Sequence, residues 1–308
     1  MSFAHVVYLS GGVGGARLLD GMARVLPAKA LTAIVNVGDD LEHWGLYVCP
    51  DLDTVLYTLA DLGDPQRGWG LRDEGFRALE AVRRYGGSDW FQLGDRDLGT
   101  HLMRTQWLRE GLRLTEVTAR LAAALGIGCR VLPMSDDRLA TCIETASEGV
   151  LGFQDWLVRR RAEPPVRRVL LRGDARPSAE VLTAIDRADL VVIGPSNPYV
   201  SVDPILALPG LRDRLARKNV VAVSPIVGGR AVKGPLAEMI PVLSGRTASA
   251  GAIAQHYQGL LAGLVVERGD EPSVRGVAVL PTSTVMKTAR DRRELAAQIL
   301  AFAEELCR

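Results

Sequence analysis

The stretch YLSGGVGGARLLDGM, from Tyr8 to Met22, places four glycines between a short apolar run and a run with helical spacing. A glycine-rich turn from strand to helix lets the backbone bend sharply and directs N–H groups toward an anion at the helix N-terminus. We expect this loop to hold phosphate through Gly11, Gly12, Gly14 and Gly15. The spacing is neither GxGxxG nor a P-loop ending in GK[ST], so the segment taken alone also allows a purely structural turn.

Apolar runs rich in valine and isoleucine recur along the chain, and helix-like stretches such as SAEVLTAIDRA separate several of them. This alternation indicates parallel strands joined by crossover helices. We therefore predict an α/β fold of Rossmann-like type, with a mostly parallel sheet and helices on both faces. The predicted strands are residues 4–10, 31–37, 129–134, 166–172, 189–195, 219–225 and 274–280.

The region from about 55 to 125 has stronger helical periodicity than the rest of the chain. No Pro- or Ser-rich linker borders it, so we predict a helical insertion within a single domain spanning residues 1–308 rather than a second domain. A chain of 308 residues with 47% hydrophobic residues is long enough to bury one large core.

The charge balance excludes several classes of partner. Lysine and arginine number 37 against 36 acidic residues, for a net charge of +1, which argues against nucleic acid and anionic membranes. We find no signal peptide and no apolar run of about 18 residues, so we expect a cytoplasmic protein. The four cysteines lack CxxC spacing and predict reduced thiols rather than zinc. The basic segment RRRAEPPVRR, residues 159–168, is interpreted as a solvated loop.

Carboxylates cluster after the second predicted strand, in VNVGDD and CPDLDT. Hard carboxylates beside a phosphate loop suit Mg²⁺, or Mn²⁺ in its place, because these ions combine one or two carboxylates with phosphate oxygens and water. Asp39, Asp51 and Asp53 are the predicted metal ligands. Aspartates also cap helices and close turns, and we favour that interpretation for Asp40.

Two further loops carry candidate substrate contacts. In LGDRDLGTHL, Asp95 and Asp97 flank Arg96, which they would hold while it reaches a polar substrate group; a self-contained ion-paired turn is the alternative. In GPSNP, prolines fix a turn after a buried strand, and Ser196 and Asn197 offer donors and acceptors for a base or ribose. His101 is taken as structural.

Nine stretches in order resemble the 2-phospho-L-lactate transferase family of coenzyme F420 biosynthesis, called CofD in archaea and FbiA in mycobacteria. They cover residues from about 9 to 229, and weaker resemblance continues to the TVMKT stretch near 286. The stretches are SGGVGGARLLDG, VNVGDD, CPDLDTVLYTLADL, RGWG, LGDRDLGTHL, LPMSDD, FQDWLVRRR, IGPSNP and AVSPIVGG.

The resemblance implies a cytoplasmic, homodimeric transferase. Such an enzyme moves a phosphoenolpyruvyl, 2-phospholactyl or 3-phosphoglyceryl group from a guanosine-diphosphate-activated donor to the 5′-hydroxyl of the deazaflavin Fo. The products are GMP and F420-0 or its dehydro form. The apolar helical segments around 115–125 and 295–306 are candidates for the dimer surface.

The resemblance also implies residue roles. The four glycines would cradle the donor's phosphates, and Asp39, Asp51 and Asp53 would bind the metal close to Fo. The predicted catalytic residues are Asp51, Asp53 and Arg96, with one of the two aspartates taking the hydroxyl proton. Asp95 and Asp97 would lie beside Fo, and the guanosine would contact Ser196, Asn197 and Pro198.

Two other functions stay open. YvcK-like regulators, which bind nucleotide sugars without catalysis, share a glycine-rich first loop, but in them GGSSGRLR typically follows the acidic pair where this chain has LEHWGLYV. A nicotinamide-dependent oxidoreductase needs GxGxxG, and its register is absent. Because SGGVGGARLL is closer to the actinobacterial form of the loop, we rank phosphoenolpyruvate first, phospholactate second and phosphoglycerate third.

Overall fold

A seven-stranded parallel sheet forms the centre of the computed structural model, which describes residues 3–307. The strands follow the order β14-β13-β10-β9-β1-β2-β5. β1, β9 and β10 are buried along their whole length, as expected for strands covered on both faces. These strands are β1 Val6–Ser10, β2 Leu31–Val35, β5 Arg130–Pro133, β9 Leu190–Ile193, β10 Val220–Val223, β13 Gly263–Glu267 and β14 Ala278–Thr282.

Three small antiparallel sheets accompany the central one. β3 pairs with β4, β11 pairs with β12, and β6 lies between β7 and β8. Their bounds are β3 Leu41–His43, β4 Leu46–Val48, β6 Ala140–Thr145, β7 Val150–Gly152, β8 Val166–Arg172, β11 Ile226–Val227 and β12 Arg230–Ala231.

The prediction of a parallel strand at 166–172 is wrong. This segment is β8, which pairs antiparallel with β6 outside the central sheet. Its sequence VRRVLLR has three arginines, and a strand covered on both faces cannot bury them. The strand that the prediction missed is β13, GLVVE, whose first four residues are buried. The predicted strand at 274–280 begins four residues later, at Ala278.

Helices surround the central sheet, which confirms the predicted α/β class. Four of them lie between Pro50 and Ala124, the helix-rich middle region. The helices are α1 Gly12–Val25, α2 Pro50–Leu59, α3 Arg77–Arg84, α4 Asp97–Arg109, α5 Leu114–Ala124, α6 Ala179–Arg187, α7 Asp203–Leu206, α8 Leu211–Leu215, α9 Leu236–Ser244, α10 Ala250–His256 and α11 Ala289–Leu306. None of the helices described is long and apolar enough to cross a membrane.

The apolar positions of the two segments proposed for a dimer surface are largely occupied within the chain. In α11, Leu295, Ile299 and Phe302 are buried, and the helix packs against α1. In α5, Val117 and Leu121 belong to the same core. The apolar periodicity of these segments therefore reflects packing in the core of this chain.

The strand order reverses between β1 and β9, with β2 and β5 on one side and β10, β13 and β14 on the other. In open parallel sheets, ligands bind in the crevice at the carboxyl ends of the strands where the order reverses. The loops after β1, β2 and β9 all leave from that edge. The fold thus brings the glycine loop, the VNVGDD segment and the GPSNP loop together.

Candidate active site

A cavity of about 740 Å³ opens at this edge of the sheet. Its lining includes Gly11, Gly12, Gly14, Asp39, Asp51, Asp53, Asp97, Ser196 and Asn197 from the predicted site residues. Gly15, Asp95, Arg96 and Pro198 are not part of the lining. The cavity therefore gathers most of the residues selected from sequence and excludes Arg96, one of the three predicted catalytic residues.

The glycine loop ends β1 and begins α1. Gly12 has a left-handed backbone, with φ of 65°, and its N–H donates to Asp51 Oδ1 over 2.6 Å. A Cβ on Gly14 would lie 2.5 Å from the carbonyl oxygen of Pro195, so the loop packs directly on the neighbouring GPSNP loop. Asp51 already accepts the Gly12 N–H, but the next N–H groups of the first turn, those of Val13 and Gly14, have no acceptor within the helix, and both residues line the cavity, as an anion site requires.

Asp39 and Asp51 form a buried carboxylate pair bridged by Asn36. The Asn36 amide donates to Asp51 Oδ2 over 2.9 Å and to Asp39 Oδ1 over 3.4 Å, and Gln154 donates to Asp39 Oδ2 over 2.8 Å. Burial raises the pKa of Asp51 to about 6, although the hydrogen bonds from Asn36 and Gly12 oppose the shift. Burial, followed by repulsion from Asp51, raises the pKa of Asp39 well above its usual range.

This pair fits a divalent cation. Neither carboxylate has a lysine, arginine or histidine within ion-pair distance in the part of the chain that the structure describes. Two carboxylates facing a phosphate-sized anion site match the preference of Mg²⁺ for one or two carboxylates completed by phosphate and water. Within residues 3–307, no group of three or more histidine, cysteine or acidic side chains is arranged to hold a metal. The protein would thus supply only part of the coordination shell.

Asp53 has a different partner from Asp51. Its carboxylate forms an ion pair with Arg104 of α4, with Arg104 Nη1 donating to Oδ2 over 3.1 Å and Nη2 bound to Oδ1. The Arg104 side chain is 1% exposed. Sequence analysis did not single out this arginine, because nothing in the spacing of MRTQWLR marks it as buried. Asp53 borders the cavity with its charge already neutralised.

Asp97 lines the cavity at the start of α4. Tyr57 Oη donates to Asp97 Oδ1 over 2.5 Å, and His101 Nε2 lies 3.3 Å from the same oxygen. Burial alone would raise the pKa of Asp97, but the contacts with His101 and Tyr57 outweigh it and lower the pKa. Asp97 is therefore an ionised acceptor at neutral pH. His101, taken as structural from sequence, is 1% exposed and links Asp97 to the Asp53–Arg104 pair.

The other two residues of the LGDRDLGTHL motif have structural contacts. Asp95 accepts hydrogen bonds from the backbone N–H groups of Arg77 and Ala78, so it caps the start of α3. Arg96 is exposed, and its Nη1 donates to the carbonyl oxygen of Arg72 over 2.8 Å. Of the three predicted site residues in this motif, only Asp97 lines the cavity, together with Leu93 and His101 of the same stretch.

The GPSNP loop is hydrogen-bonded to the glycine loop. Ser196 Oγ donates to the Gly11 carbonyl oxygen over 2.8 Å, and the Gly11 N–H lies 3.2 Å from the same hydroxyl. Asn197 accepts from the Tyr199 N–H over 3.0 Å and so caps the turn that begins at the buried Pro198. Ser196 thus holds the two loops together, while Asn197 stabilises the turn of its own loop.

Two cations that the site prediction omitted stand beside the glycine loop. Arg17 and Lys233 both line the cavity, and neither has an acidic partner among the described residues. Burial lowers the pKa of Lys233, and repulsion from Arg17 adds to this effect. Unpaired, partly buried cations are costly in the absence of an anion. Arg17 lies within the quoted loop motif, one turn into α1, and this position is the signal that sequence analysis could have used.

Aromatic side chains form another part of the lining, with Trp69, Trp90 and Phe91 all bordering the cavity. Trp90 and Phe91 pack edge to face with ring centroids 5.5 Å apart, and the His43 ring lies 5.6 Å from Trp90. Such a surface suits a flat ring system, because aromatic faces and edges bind planar π-systems.

The fold and the cavity define an α/β protein with a site suited to an anionic ligand where the strand order reverses. Residues 6–299 match the model of the family described as 2-phospho-L-lactate transferase CofD, so the chain belongs to this family. It is a CofD-type transferase of F420 biosynthesis, an enzyme that transfers phosphate-containing groups.

Relatives cover nearly the whole chain. The 2-phospho-L-lactate transferase of Methanosarcina mazei is 41% identical over 94% of this chain and 98% of its own. The phosphoenolpyruvate transferase of Streptomyces griseus is 41% identical over 98% of this chain and 99% of its own. A UPF0052 family protein from Bacillus halodurans superposes with a TM-score of 0.65 at 20% identity, covering 97% of this chain and 99% of that one, a likeness of fold alone.

Proposed function

We propose that this protein transfers a phosphoenolpyruvyl, 2-phospholactyl or 3-phosphoglyceryl group from its guanylyl-activated form to the 5′-hydroxyl of Fo. The hydroxyl oxygen forms a bond to the phosphorus that carries the three-carbon acid. The bond from that phosphorus to the bridging oxygen of the diphosphate breaks, and GMP leaves with that oxygen. The proton of the attacking hydroxyl is released to solvent. The product is F420-0 or dehydro-F420-0, depending on the acid.

One observation carries the proposal: a single cavity joins an anion site to an aromatic surface. The glycine loop, Arg17 and Lys233 suit the diphosphate of the donor, because backbone N–H groups and cations both stabilise phosphate charge. Trp69, Trp90 and Phe91 suit the deazaflavin ring. The transferred phosphorus then lies between the two halves, next to Asp51 and Asp97.

Phosphoryl transfer of this kind needs positioning and charge neutralisation more than covalent help. We propose that Asp39 and Asp51 hold Mg²⁺, or Mn²⁺ in its place, which would neutralise charge on the diphosphate. Asp97, kept ionised by Tyr57 and His101, is placed to accept a hydrogen bond from the ribityl hydroxyl and orient it. Asp53 and Arg96, predicted to be catalytic, are assigned no contact with the reacting atoms here.

The test is a reconstituted reaction with purified protein, Fo, Mg²⁺ and each of the three guanylyl-activated acids in turn. We expect GMP release and a deazaflavin phosphodiester with at least one donor, separated by chromatography with mass detection. Phosphoenolpyruvate ranks first, from the form of the first loop. If no product forms while the protein binds guanosine diphosphate and ignores Fo, the transferase proposal fails in favour of a regulatory nucleotide-binding role.

A further inference from the structure

One residue of the basic segment 159–168 belongs to the cavity. Three arginines follow one another in this segment, and the first two have acidic partners. Arg159 Nη1 lies 3.6 Å from Asp155 Oδ1, and Arg160 Nη1 lies 2.8 Å from Glu148 Oε2. Arg161 lines the cavity and has no carboxylate within 4.0 Å among residues 3–307. Arg161 is exposed, as the interpretation of this segment as a solvated loop predicts, and it also borders the cavity.

The backbone at Arg161 is conformationally strained. Arg161 and Ala162 both have left-handed conformations, with φ of 53° and 56°, which residues other than glycine rarely adopt. The turn is fixed from both sides, because the Ala162 N–H donates to the Trp156 carbonyl oxygen over 2.8 Å and Trp156 Nε1 donates to the Pro164 carbonyl oxygen over 2.8 Å. Strained non-glycine residues that the surroundings hold in place cluster at functional sites.

The residues just before this segment contact the carboxylate pair of Asp39 and Asp51. Gln154 donates to Asp39 Oδ2 over 2.8 Å, and Leu157 and Val158 line the cavity between Gln154 and Arg161. This wall therefore offers an apolar stretch that ends in an unpaired guanidinium. Arg17 and Lys233 already serve the glycine loop, so the anion that Arg161 meets is a different group of the ligand.

We propose that Arg161 binds the carboxylate of the transferred three-carbon acid, with Leu157 and Val158 packing against its carbon atoms. This inference rests on the proposed function. A guanidinium forms two parallel hydrogen bonds to a carboxylate, whereas a lysine makes a point contact. All three candidate acids carry this carboxylate, so Arg161 selects an acid over a neutral group and does not choose among the three.

The experiment is calorimetric titration in Mg²⁺ without Fo, so that no turnover occurs. Each protein is titrated with guanosine diphosphate, which lacks the acid, and with the guanylyl ester of 2-phospholactate, which carries it. We expect Arg161→Gln to bind the ester roughly 10-fold to 100-fold more weakly, the range for hydrogen bonds to charged groups, and to bind guanosine diphosphate as the wild type does. Arg159→Gln is the matched control and should bind both ligands normally.

Two glycine substitutions distinguish the effect of the Arg161 charge from the effect of the backbone conformation of the turn. Arg161→Gly and Ala162→Gly both relieve a left-handed residue, so the melting temperature of either variant should not fall. Only Arg161→Gly should lose affinity for the ester.

Several results would overturn the inference. They are equal weakening of both ligands in Arg161→Gln, unchanged affinity of Arg161→Gln for the ester, or an equal loss of ester affinity in Ala162→Gly. A wild-type protein that binds neither guanylyl ligand would overturn the proposed function, and this inference with it.

Discussion

Replacing Asp53 by asparagine should destabilise the whole fold. Asp53 is the ion-pair partner of Arg104, whose side chain is 1% exposed. Burial lowers the pKa of Arg104, but interactions led by the Asp53 carboxylate together outweigh burial and raise the pKa overall. Removing one member of a buried ion pair leaves the other charge without a partner and costs about 3–5 kcal/mol. For a chain of this size that corresponds to a melting temperature lower by on the order of 5–10 °C.

Asp51→Asn is the matched control, because the two aspartates are only two residues apart. Asp51 has no cationic partner among residues 3–307, and burial raises its pKa to about 6, so its charge is unfavourable in the free protein. An asparagine oxygen can still accept the hydrogen bond that the Gly12 N–H now donates to Asp51. The asparagine Nδ2 would face the Asn36 amide that now donates to Asp51 Oδ2, and this offsets part of the gain from removing the buried charge. We expect this variant to be clearly more stable than Asp53→Asn and to lose activity.

Urea unfolding followed by far-UV circular dichroism measures both variants, and unchanged slopes would show that only stability differs. A third variant, Asp53→Asn with Arg104→Met, removes both charges and should regain most of the lost stability, since replacing a whole buried pair by apolar groups is often neutral. The reasoning is refuted if Asp53→Asn unfolds at the wild-type urea concentration, or if the double variant is as unstable as the single one.

Three further predictions follow from the site, and a fourth follows from the family resemblance. Lys233→Met should weaken the binding of guanosine diphosphate roughly 10-fold, measured by calorimetry, because it removes an unpaired cation beside the glycine loop. Unchanged affinity would mean that the diphosphate binds elsewhere. Gly12→Val should weaken the binding of the same ligand, since valine disfavours a φ of 65°. Normal binding by a folded variant would show that the loop is only a structural turn. Turnover should stop in chelator and return with Mg²⁺, and full activity in chelator would contradict the metal proposal. Light scattering should show the homodimer that the family resemblance implies, formed through a surface other than the buried apolar positions of α5 and α11, and a monomer at micromolar concentration would contradict that expectation.

The central sheet could be predicted because its strands are short apolar runs that end in glycine or polar residues. The errors have physical reasons. β8 has enough valine and leucine to look like a core strand, but Arg167 and Arg168 require a solvated face. β13 was missed because GLVVE follows directly on the apolar segment QGLLA, so no polar break marks where the strand begins.

The site was less predictable than the fold, because sequence gives residue types while partners come from distant elements. Asp39 and Asp51 follow from the position of their segments at the sheet edge. Asp95 and Arg96 look like substrate contacts in sequence, yet one caps α3 and the other bonds to the Arg72 carbonyl oxygen. Nothing near Asp97 in sequence reveals that Tyr57, forty residues earlier, donates to it.

Helix geometry alone could have predicted that the Asp51 and Asp53 side chains point in different directions. α2 begins at Pro50, so both aspartates lie in its first turn rather than in a loop. Residues two apart on an α-helix point about 200° away from each other, so they cannot both direct their carboxylates at one ion. Asp51 therefore faces the glycine loop and Asn36, while Asp53 faces α4 and Arg104. We therefore expect Asp51→Asn and Asp53→Asn to lose activity for different reasons. Asp51→Asn loses a contact with the ligand, whereas Asp53→Asn leaves a buried arginine without its partner. An activity assay without a stability measurement would attribute both losses to the metal.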